Sequence, residues 1–247
     1  MAAVDPVPDH PAAVADHDGG RALVVADVHA GIERALAAER GVELASRADD
    51  RRERIRSLVD RVDPDRIVFL GDLMHSIGDP GGAERGEIEV LFEALPDVPV
   101  TLVKGNHDGG IESWVDVEVS DSRGVRLGDV GFVHGHTWPS PEVLAADVVC
   151  VGHEHPSVRL VDEVGGSRVE RVWLRGPLRR APFEDHVEAL HWNDPDGVVF
   201  PAFNELAGGT WVNLPDQSFL SPFLPAAMEG AHAYLLDGTR LGDYRNV

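Results

Sequence analysis

The chain has 247 residues, 43% of them hydrophobic, with 43 acidic against 22 basic side chains, a formal net charge of −21 and a single cysteine, Cys150. That size and apolar content allow one α/β domain with a full core spanning 1–247, and the lone cysteine excludes an intrachain disulfide framework and any cysteine-rich zinc site. The acidic balance excludes whole-molecule attraction to nucleic acid, because non-specific affinity comes from cations that neutralise phosphates.

No stretch approaches the run of about 18 apolar residues that spans a membrane, and the N-terminus lacks the basic-then-apolar order of a signal peptide. The expectation is a soluble, cytoplasmic protein with no membrane partner. Only one of the 22 cations is a lysine, Lys104. Such a composition resembles that of proteins from extreme halophiles, whose carboxylate-rich surface stays hydrated while concentrated salt screens its self-repulsion. A genome rich in G and C, which encodes Arg and Asp cheaply, is the alternative source of the same bias.

In chain order, residues 1–11 read as a flexible tail, Ala12–Ala15 as a segment able to pair with the next strand, and Asp16–Gly20 as a turn. Ala22–Ala26 is a short apolar run ending in Asp27, which suits a buried strand that delivers a polar residue at its C-terminal end. Helices are expected near Ile32–Arg40 and Asp50–Val62, the second with Ile55, Leu58, Val59 and Val62 on one face. The alternation repeats with a strand at Ile67–Leu70, a helix around Ile88–Leu95 and a strand at Val100–Val103, the mark of a layered α/β arrangement.

From about Val115 short β-like runs dominate: Val125–Leu127, Gly131–His134, Val148–Val151, Val158–Val164, Val169–Leu174 and Val198–Pro201. They predict a second, more antiparallel sheet packed on the first. The Gly- and Pro-rich stretch Gly208–Val247 resists assignment.

Five polar clusters fall at the ends of predicted strands: Asp27-Val28-His29, Gly71-Asp72, Gly105-Asn106-His107-Asp108, His134-Gly135-His136 and Gly152-His153-Glu154-His155. Strand C-termini of an open α/β sheet converge on one crevice, so residues distant in sequence can meet there. Together they offer carboxylate, amide and imidazole donors, enough for two ions. Oxygen and nitrogen donors without thiolate favour manganese, iron or zinc over copper and give magnesium or calcium little advantage. Each cluster alone is weak, since Gly-Asp after a strand is more often a turn and a lone histidine more often satisfied locally. Of 12 histidines, however, seven (29, 75, 107, 134, 136, 153 and 155) lie in these clusters or just after Gly71-Asp72, which chance explains poorly.

The ordered set Asp-x-His, Gly-Asp, Gly-Asn-His-Asp, His and Gly-His-x-His, running from residue 27 to 155, closely resembles the signature of the calcineurin-like metallophosphoesterases. The resemblance implies an α/β fold, a four-layer αββα sandwich of two mixed β-sheets, with the active site at its strand-end rim. It implies that Asp27, His29 and His155 hold a first metal, that Asn106, His134 and His153 hold a second, and that Asp72 bridges them. Two divalent ions, manganese first with iron or zinc as alternatives, would share a bridging hydroxide, a nucleophile near neutral pH, and clamp the phosphoryl oxygens.

By the same resemblance His107 faces the substrate, protonating the leaving oxygen or stabilising the transition state. Asp108 is expected to orient its imidazole, with an ordinary buried acid as the alternative. His75 resembles the corresponding histidine of SbcD-type DNA-repair nucleases, which helps engage the scissile phosphate; a surface histidine at a helix start competes with that role. His136 is expected to orient a ligand. Gly71, Gly105 and Gly152 suit close backbone approach. Lys104 reads as a solvent-facing residue before a phosphate contact, Arg175, Arg179 and Arg180 as a solvated loop, and Trp138 as a packed anchor before a base-stacking platform.

Protein phosphatases of the superfamily usually carry Asp-Arg-Gly after the second motif and Arg-Gly-Asn-His-Glu at the third. Here Leu73-Met74-His75-Ser76 and Lys104-Gly105-Asn106-His107-Asp108 point towards phosphodiesters instead. Pro201-Ala202-Phe203 followed by Gly208-Gly209, and Leu236-Asp237-Gly238 with Leu241-Gly242, are similar to the ICC-like group that includes bacterial ligase-associated phosphoesterases. That implies a nucleic-acid repair phosphodiesterase or nuclease acting on single-stranded DNA or RNA, with helicase or ligase partners. A cyclic-nucleotide or small-nucleotide phosphodiesterase shares every metal ligand and stays open. So does a binding scaffold of the same fold, against which the complete ligand set and His107 speak.

Overall fold

The computed structural model describes residues 4–78, 80–215 and 217–247. The first sheet is built from β1 (Val4–Pro6), β2 (Ala12–His17), β3 (Gly20–Val25), β4 (Arg66–Phe69), β5 (Val100–Val103) and β6 (Glu118–Ser120), which lie side by side in that order. β1 to β3 form an antiparallel meander, whereas β3 to β6 run parallel, with helices α1 (Ile32–Arg40) and α2 (Ala48–Val62) joining β3 to β4 and α3 (Gly82–Glu93) joining β4 to β5.

The second sheet comprises β7 (Val125–Leu127), β8 (Val130–Val133), β9 (Val148–Val151), β10 (Ser157–Val161), β11 (Ser167–Pro177), β12 (Asp196–Val199), β13 (His232–Leu235) and β14 (Arg240–Asp243). Its order is β14-β13-β11-β12-β9-β8-β7, with β10 paired to β11, and most of its pairings are antiparallel; β8, β9 and β12 are parallel neighbours. Short helices α4 (Pro141–Leu144) and α5 (Ala181–Glu184) pack on its outer side.

Strand periodicity sorts the side chains into layers, because successive residues of a strand point to opposite faces. Ala22, Val24, Val68 and Val103 of the first sheet meet Val130, Phe132, Cys150, Trp173 and Val198 of the second in a buried core between the sheets. The intervening residues Leu23, Val25, Ile67, Phe69 and Leu102 face the other way and pack on Ile55, Leu58, Val59 and Val62 of α2 and on Ile88 and Leu91 of α3. Likewise Val133, Val149, Val151 and Val199 turn outward towards Val143 and Leu144 of α4 and Phe183 of α5. Two mixed sheets face to face with helices outside give the expected αββα layering.

The structure departs from the expectations at some boundaries. Residues 1–3 lie outside the described residues, but from Val4 the expected tail is a strand, and Val4 and Val7 are buried; pairing with β2 gives this polar-looking segment its order. α3 begins at Gly82 rather than near Ile88, its glycines at 82 and 86 having masked the first turns in the sequence. β10 ends at Val161 rather than Val164, where Asp162 turns the chain by accepting from Val164 and Gly166. The unassigned C-terminal stretch contains the β13–β14 hairpin, with Leu236-Asp237-Gly238 at its turn and Gly238 at φ 89°.

Candidate metal centre

The parallel strands β3, β4 and β5 and the neighbouring strands β8 and β9 all deliver polar residues just past their C-terminal ends, and these side chains gather at one rim. Two loops are stitched there by backbone bonds: Asp27 N–H to Gly71 O (3.1 Å), His29 N–H to Asp72 O (2.9 Å) and Ala30 N–H to Leu73 O (2.9 Å). Asp27, His29, Asp72, His153 and His155 all take left-handed backbone conformations, with φ between 45° and 66°. For residues other than glycine each such conformation costs about 1–3 kcal/mol and persists only where the surroundings dictate it. Nothing in the residue pattern signals this concentration of strain.

Donor atoms of Asp27, His29 and His155 lie within 4.8 Å of one another, and so do those of Asp72, His134 and His153. In the first group His29 Nε2 faces His155 Nε2 at 3.3 Å and His155 Nε2 lies 3.2 Å from Asp27 Oδ1. In the second, His134 Nε2 is 3.3 Å from Asp72 Oδ1 and 3.3 Å from Asn106 Oδ1. Asp72 stands between the groups: its Oδ1 faces His134 while its Oδ2 is 3.9 Å from His29 Nε2 and 3.7 Å from His107 Nε2. All seven residues expected as ligands are therefore brought together.

Other bonds fix the ring orientations. His134 Nδ1–H donates to Leu70 O (2.9 Å) and His155 Nδ1–H to Gly208 O (2.7 Å), which leaves each Nε2 facing the centre. An imidazole held through one nitrogen by a carbonyl, with the other aimed at a cluster of acceptors, is the arrangement of a metal ligand. Space for His134 comes from Gly71, where a Cβ would stand 2.2 Å from His134 Nδ1; at Gly105 a Cβ would stand 2.2 Å from Asp72 Oδ1.

The electrostatics ask for positive charge. Burial opposes charging the His134 imidazole, yet Asp72 and Asp27 beside it prevail and raise its pKa to about 9. Burial likewise opposes ionisation of Asp72, but His134, His29 and His107 hold its carboxyl well below the usual range. His29 and His153 go the other way: burial, and for His153 the neighbouring His134, lower them to about 3 and about 4, so both are neutral donors at physiological pH. Carboxylates, an amide oxygen and neutral imidazoles facing one another fit divalent cations well.

His107 and His75 border this centre. Their rings stack with centroids 5.7 Å apart and 22° between planes, and His75 Nδ1 is 3.4 Å from His29 Nδ1. His29, His75 and His107 also satisfy ligand spacing, but without a carboxylate among them. His107 Nδ1–H donates to the His75 carbonyl, so its Nε2 points towards Asp72.

That contact corrects the expectation for Asp108, which makes no hydrogen bond to His107. Asp108 is fully buried and accepts from the N–H groups of Leu73 (2.9 Å), Met74 (3.2 Å) and Gly105 (2.9 Å), tying two rim loops together. Burial and the Asp72 charge push its pKa up to about 6. His136 also differs from expectation: its ring packs 5.4 Å from His134 and 6.0 Å from His153, but its buried Nδ1 has no partner among the described residues, so it does not orient a ligand by hydrogen bonding.

Of the other residues singled out, Lys104 is engaged by Glu112 (2.8 Å), Arg179 by Glu229 and Arg180 by Glu184 (2.9 Å), while Arg175 donates to Val4 O (2.9 Å). Trp138 stacks on His186 at 4.0 Å between centroids and packs against Phe183 and Phe223. Lys104, Arg179, Arg180 and Trp138 take the structural role, whereas Arg175 stands half-buried on β11 rather than in a solvated loop.

Three residues were missed. Glu84 on α3 accepts from the N–H groups of His75 (2.6 Å) and Ser76 (2.9 Å). Buried Glu154 accepts from Thr210 Oγ1 (2.5 Å), Leu220 N–H (3.0 Å) and Ser221 N–H (3.1 Å), pinning the 208–221 loop under the rim. Asn204 Nδ2 donates to Val28 O (2.9 Å) and His29 O (3.2 Å). Only Glu154, inside the Gly-His-Glu-His cluster, carried a sequence signal.

Fold and rim together define a metal-dependent phosphoesterase. The family description that matches is the calcineurin-like phosphoesterases, over residues 20–202, and the chain belongs to that family. No curated protein matches the chain. Among solved structures it is similar to the nuclease MPE of Pseudomonas putida, with 21% identity and a TM-score of 0.57 over 97% of this chain and 100% of that one. The phosphoesterase Yfce of E. coli is similar at 15% identity and a TM-score of 0.43, over 90% of this chain and 96% of the other. At these identities the likeness to MPE concerns the fold. Among the described residues no helix is long and apolar enough to cross a membrane.

Proposed function

We propose that this chain hydrolyses phosphodiester bonds of single-stranded nucleic acid, with one divalent cation held by Asp27, His29 and His155 and another by Asn106, His134 and His153. Manganese is the expected ion. The observation that carries this reading is the split carboxylate of Asp72, one oxygen 3.3 Å from His134 Nε2 and the other turned to His29 and His107. When bound, two such ions supply a hydroxide nucleophile near neutral pH and balance charge building on the phosphoryl oxygens.

The chain's own residues do the rest. His107, held through Nδ1 by the His75 carbonyl, is aimed to deliver a proton from Nε2 to the departing oxygen. Its stacked neighbour His75, beside His29 at the border of the centre, would engage the scissile phosphate. Asn106 adds an oxygen donor without adding charge, which limits repulsion of an anionic substrate. A base-bearing substrate is compatible with Trp211, 38% exposed and bridged through its backbone to Ser157 two residues past His155, since an exposed aromatic side chain can stack on any base.

The test is a metal count together with a substrate panel in molar KCl with manganese, comparing bis-p-nitrophenyl phosphate, cyclic nucleotides and labelled single-stranded DNA or RNA. About two transition ions per chain, and turnover of the diester and the oligonucleotides, are expected. Well under two ions with no manganese-stimulated turnover would make the chain a binding scaffold, and turnover confined to cyclic nucleotides would reassign the substrate.

A further inference from the structure

Beside the metal rim, three guanidinium groups converge on one carboxylate. Glu205 Oε2 is 3.5 Å from Arg47 Nη1, and Glu205 Oε1 is 3.2 Å from Arg54 Nη1 and 3.8 Å from Arg171 Nη2. The three arginines come from the N-cap of α2, its second turn and β11, so tertiary packing alone assembles them. Two are held in place independently of Glu205: Arg54 lies over the Phe203 ring at 4.6 Å, and Arg171 Nη1 donates to Ala202 O at 2.8 Å. All remain open to solvent, with side chains 52%, 30% and 25% exposed for Arg47, Arg54 and Arg171.

The position matters as much as the charge. Glu205 follows Asn204, whose amide is bonded to the His29 carbonyl, and Arg171 pairs across the ladder with Ser157, two residues past His155. The cluster therefore flanks the His29–His155 side of the centre. Arg47, Arg54, Asn204 and Glu205 border a surface cavity of about 410 Å³. Asp50 and Glu53 border it too, but Glu53 is paired with Arg56 (3.4 Å), and the Arg51 in its wall is taken by Glu33 (2.6 Å) and Glu87 (2.7 Å). With Glu53 and Arg51 paired elsewhere, Arg47 and Arg54 in the cavity wall and Arg171 beside it stand against Glu205 and Asp50, three cations to two anions in a chain of net charge −21.

Like charges this close repel, and an arrangement that preorients their forks without neutralising them suits an incoming phosphate, which guanidinium binds bidentately. We propose that Arg47, Arg54 and Arg171 form a docking subsite for a backbone phosphate of single-stranded nucleic acid beside the metal centre, with Glu205 as the internal anion it displaces. The proposal rests on the phosphodiesterase reading for its substrate and on the arginine geometry for its site.

Two measurements separate the two. Binding of a fluorescent phosphorothioate single strand is followed by anisotropy, and turnover is followed with bis-p-nitrophenyl phosphate, whose single phosphate is the scissile one. In R47A/R54A, oligonucleotide Kd is expected to rise by about tenfold with diester turnover unchanged, while E205Q, which frees three guanidiniums, is expected to bind more tightly than wild type. Unchanged oligonucleotide binding in R47A/R54A overturns the subsite, as does weaker binding in E205Q, which would make the cluster a structural clasp. If wild type fails to turn over the diester, the hydrolase reading falls while the binding series still decides the subsite.

Discussion

His29 and His155 point their Nε2 atoms at each other across 3.3 Å, although 126 residues separate them in the chain. His155 gives its Nδ1–H to Gly208 O, the Asp27 carboxylate holds the His155 imidazole above its usual pKa, and burial leaves His29 neutral. A positive charge among these groups, whether a proton on His155 or a bound cation, favours that arrangement.

Asp72 and His107 are expected to separate metal binding from turnover. Asp72→Ala removes the carboxylate that faces both donor groups, and bound metal and activity should be lost together. His107→Ala should retain its metal content while turnover falls by about 10²–10⁴-fold, the usual worth of a positioned proton donor. Metal analysis paired with diester kinetics checks both, and wild-type rates in the His107 variant would remove it from the mechanism.

Metal removal should be felt most at alkaline pH. In the metal-free protein the His134 pKa is raised to about 9 from 6.5, so its proton stabilises the fold fully below about pH 6.5 and ceases to do so as pH rises through about 9, a loss on the order of 3 kcal/mol at most. His29 and His153, lowered to about 3 and about 4, act oppositely: the unfolded chain takes up their protons first, so stability falls as pH drops below about 6.5. Chelated protein should therefore have its highest Tm near pH 6.5, whereas metal-saturated protein should keep its Tm up to pH 9. Melting curves with and without chelator across pH 5–9 decide it; parallel curves would count against cation binding at His134.

Glu84 is expected to act on catalysis from outside the centre. Its carboxylate holds the His75 and Ser76 amides, and the His75 carbonyl in turn aims His107. Glu84→Ala should lower kcat by about tenfold or more with little change in KM, because a small misplacement of a proton donor is costly. Glu84→Gln keeps an oxygen acceptor and should recover most of that rate. Equal losses in the two variants would point to the charge rather than to the loop position.

Asp108 should behave as a structural acid. Removing it in Asp108→Ala leaves three buried N–H groups, those of Leu73, Met74 and Gly105, without their acceptor, at a cost of about 1–3 kcal/mol for each group left unsatisfied. A large drop in Tm is expected. The more conservative Asp108→Asn retains one acceptor oxygen and should fall in between.

The carboxylate-rich surface gives a salt prediction. With a net charge of −21, self-repulsion at low ionic strength should weaken the fold, and molar KCl, which shortens the screening length to about 3 Å, should restore it. A Tm that rises steadily from dilute buffer to molar KCl is expected. A flat profile would leave codon bias as the better account of the composition.

The sequence determined most strands between Ala22 and Pro201 and the polar clusters at their ends, because apolar alternation is local information and strand C-termini of one sheet must share an edge, whereas β1, β6 and the β13–β14 hairpin depended on pairing within the sheets. The strand-end clusters holding Asp27, His29, Asp72, Asn106, His134, His153 and His155 were legible for that reason, and the family resemblance singled out these seven within them. What those side chains do once gathered depended on tertiary contacts. The tie from the His75 carbonyl to His107, the burial of Asp108 between two loops, the reach of Glu84 from α3 and the meeting of Arg47, Arg54 and Arg171 at Glu205 join residues from separate elements. A hydrogen bond or ion pair depends on ångström distances between such elements, and no periodicity along a single strand or helix encodes those distances.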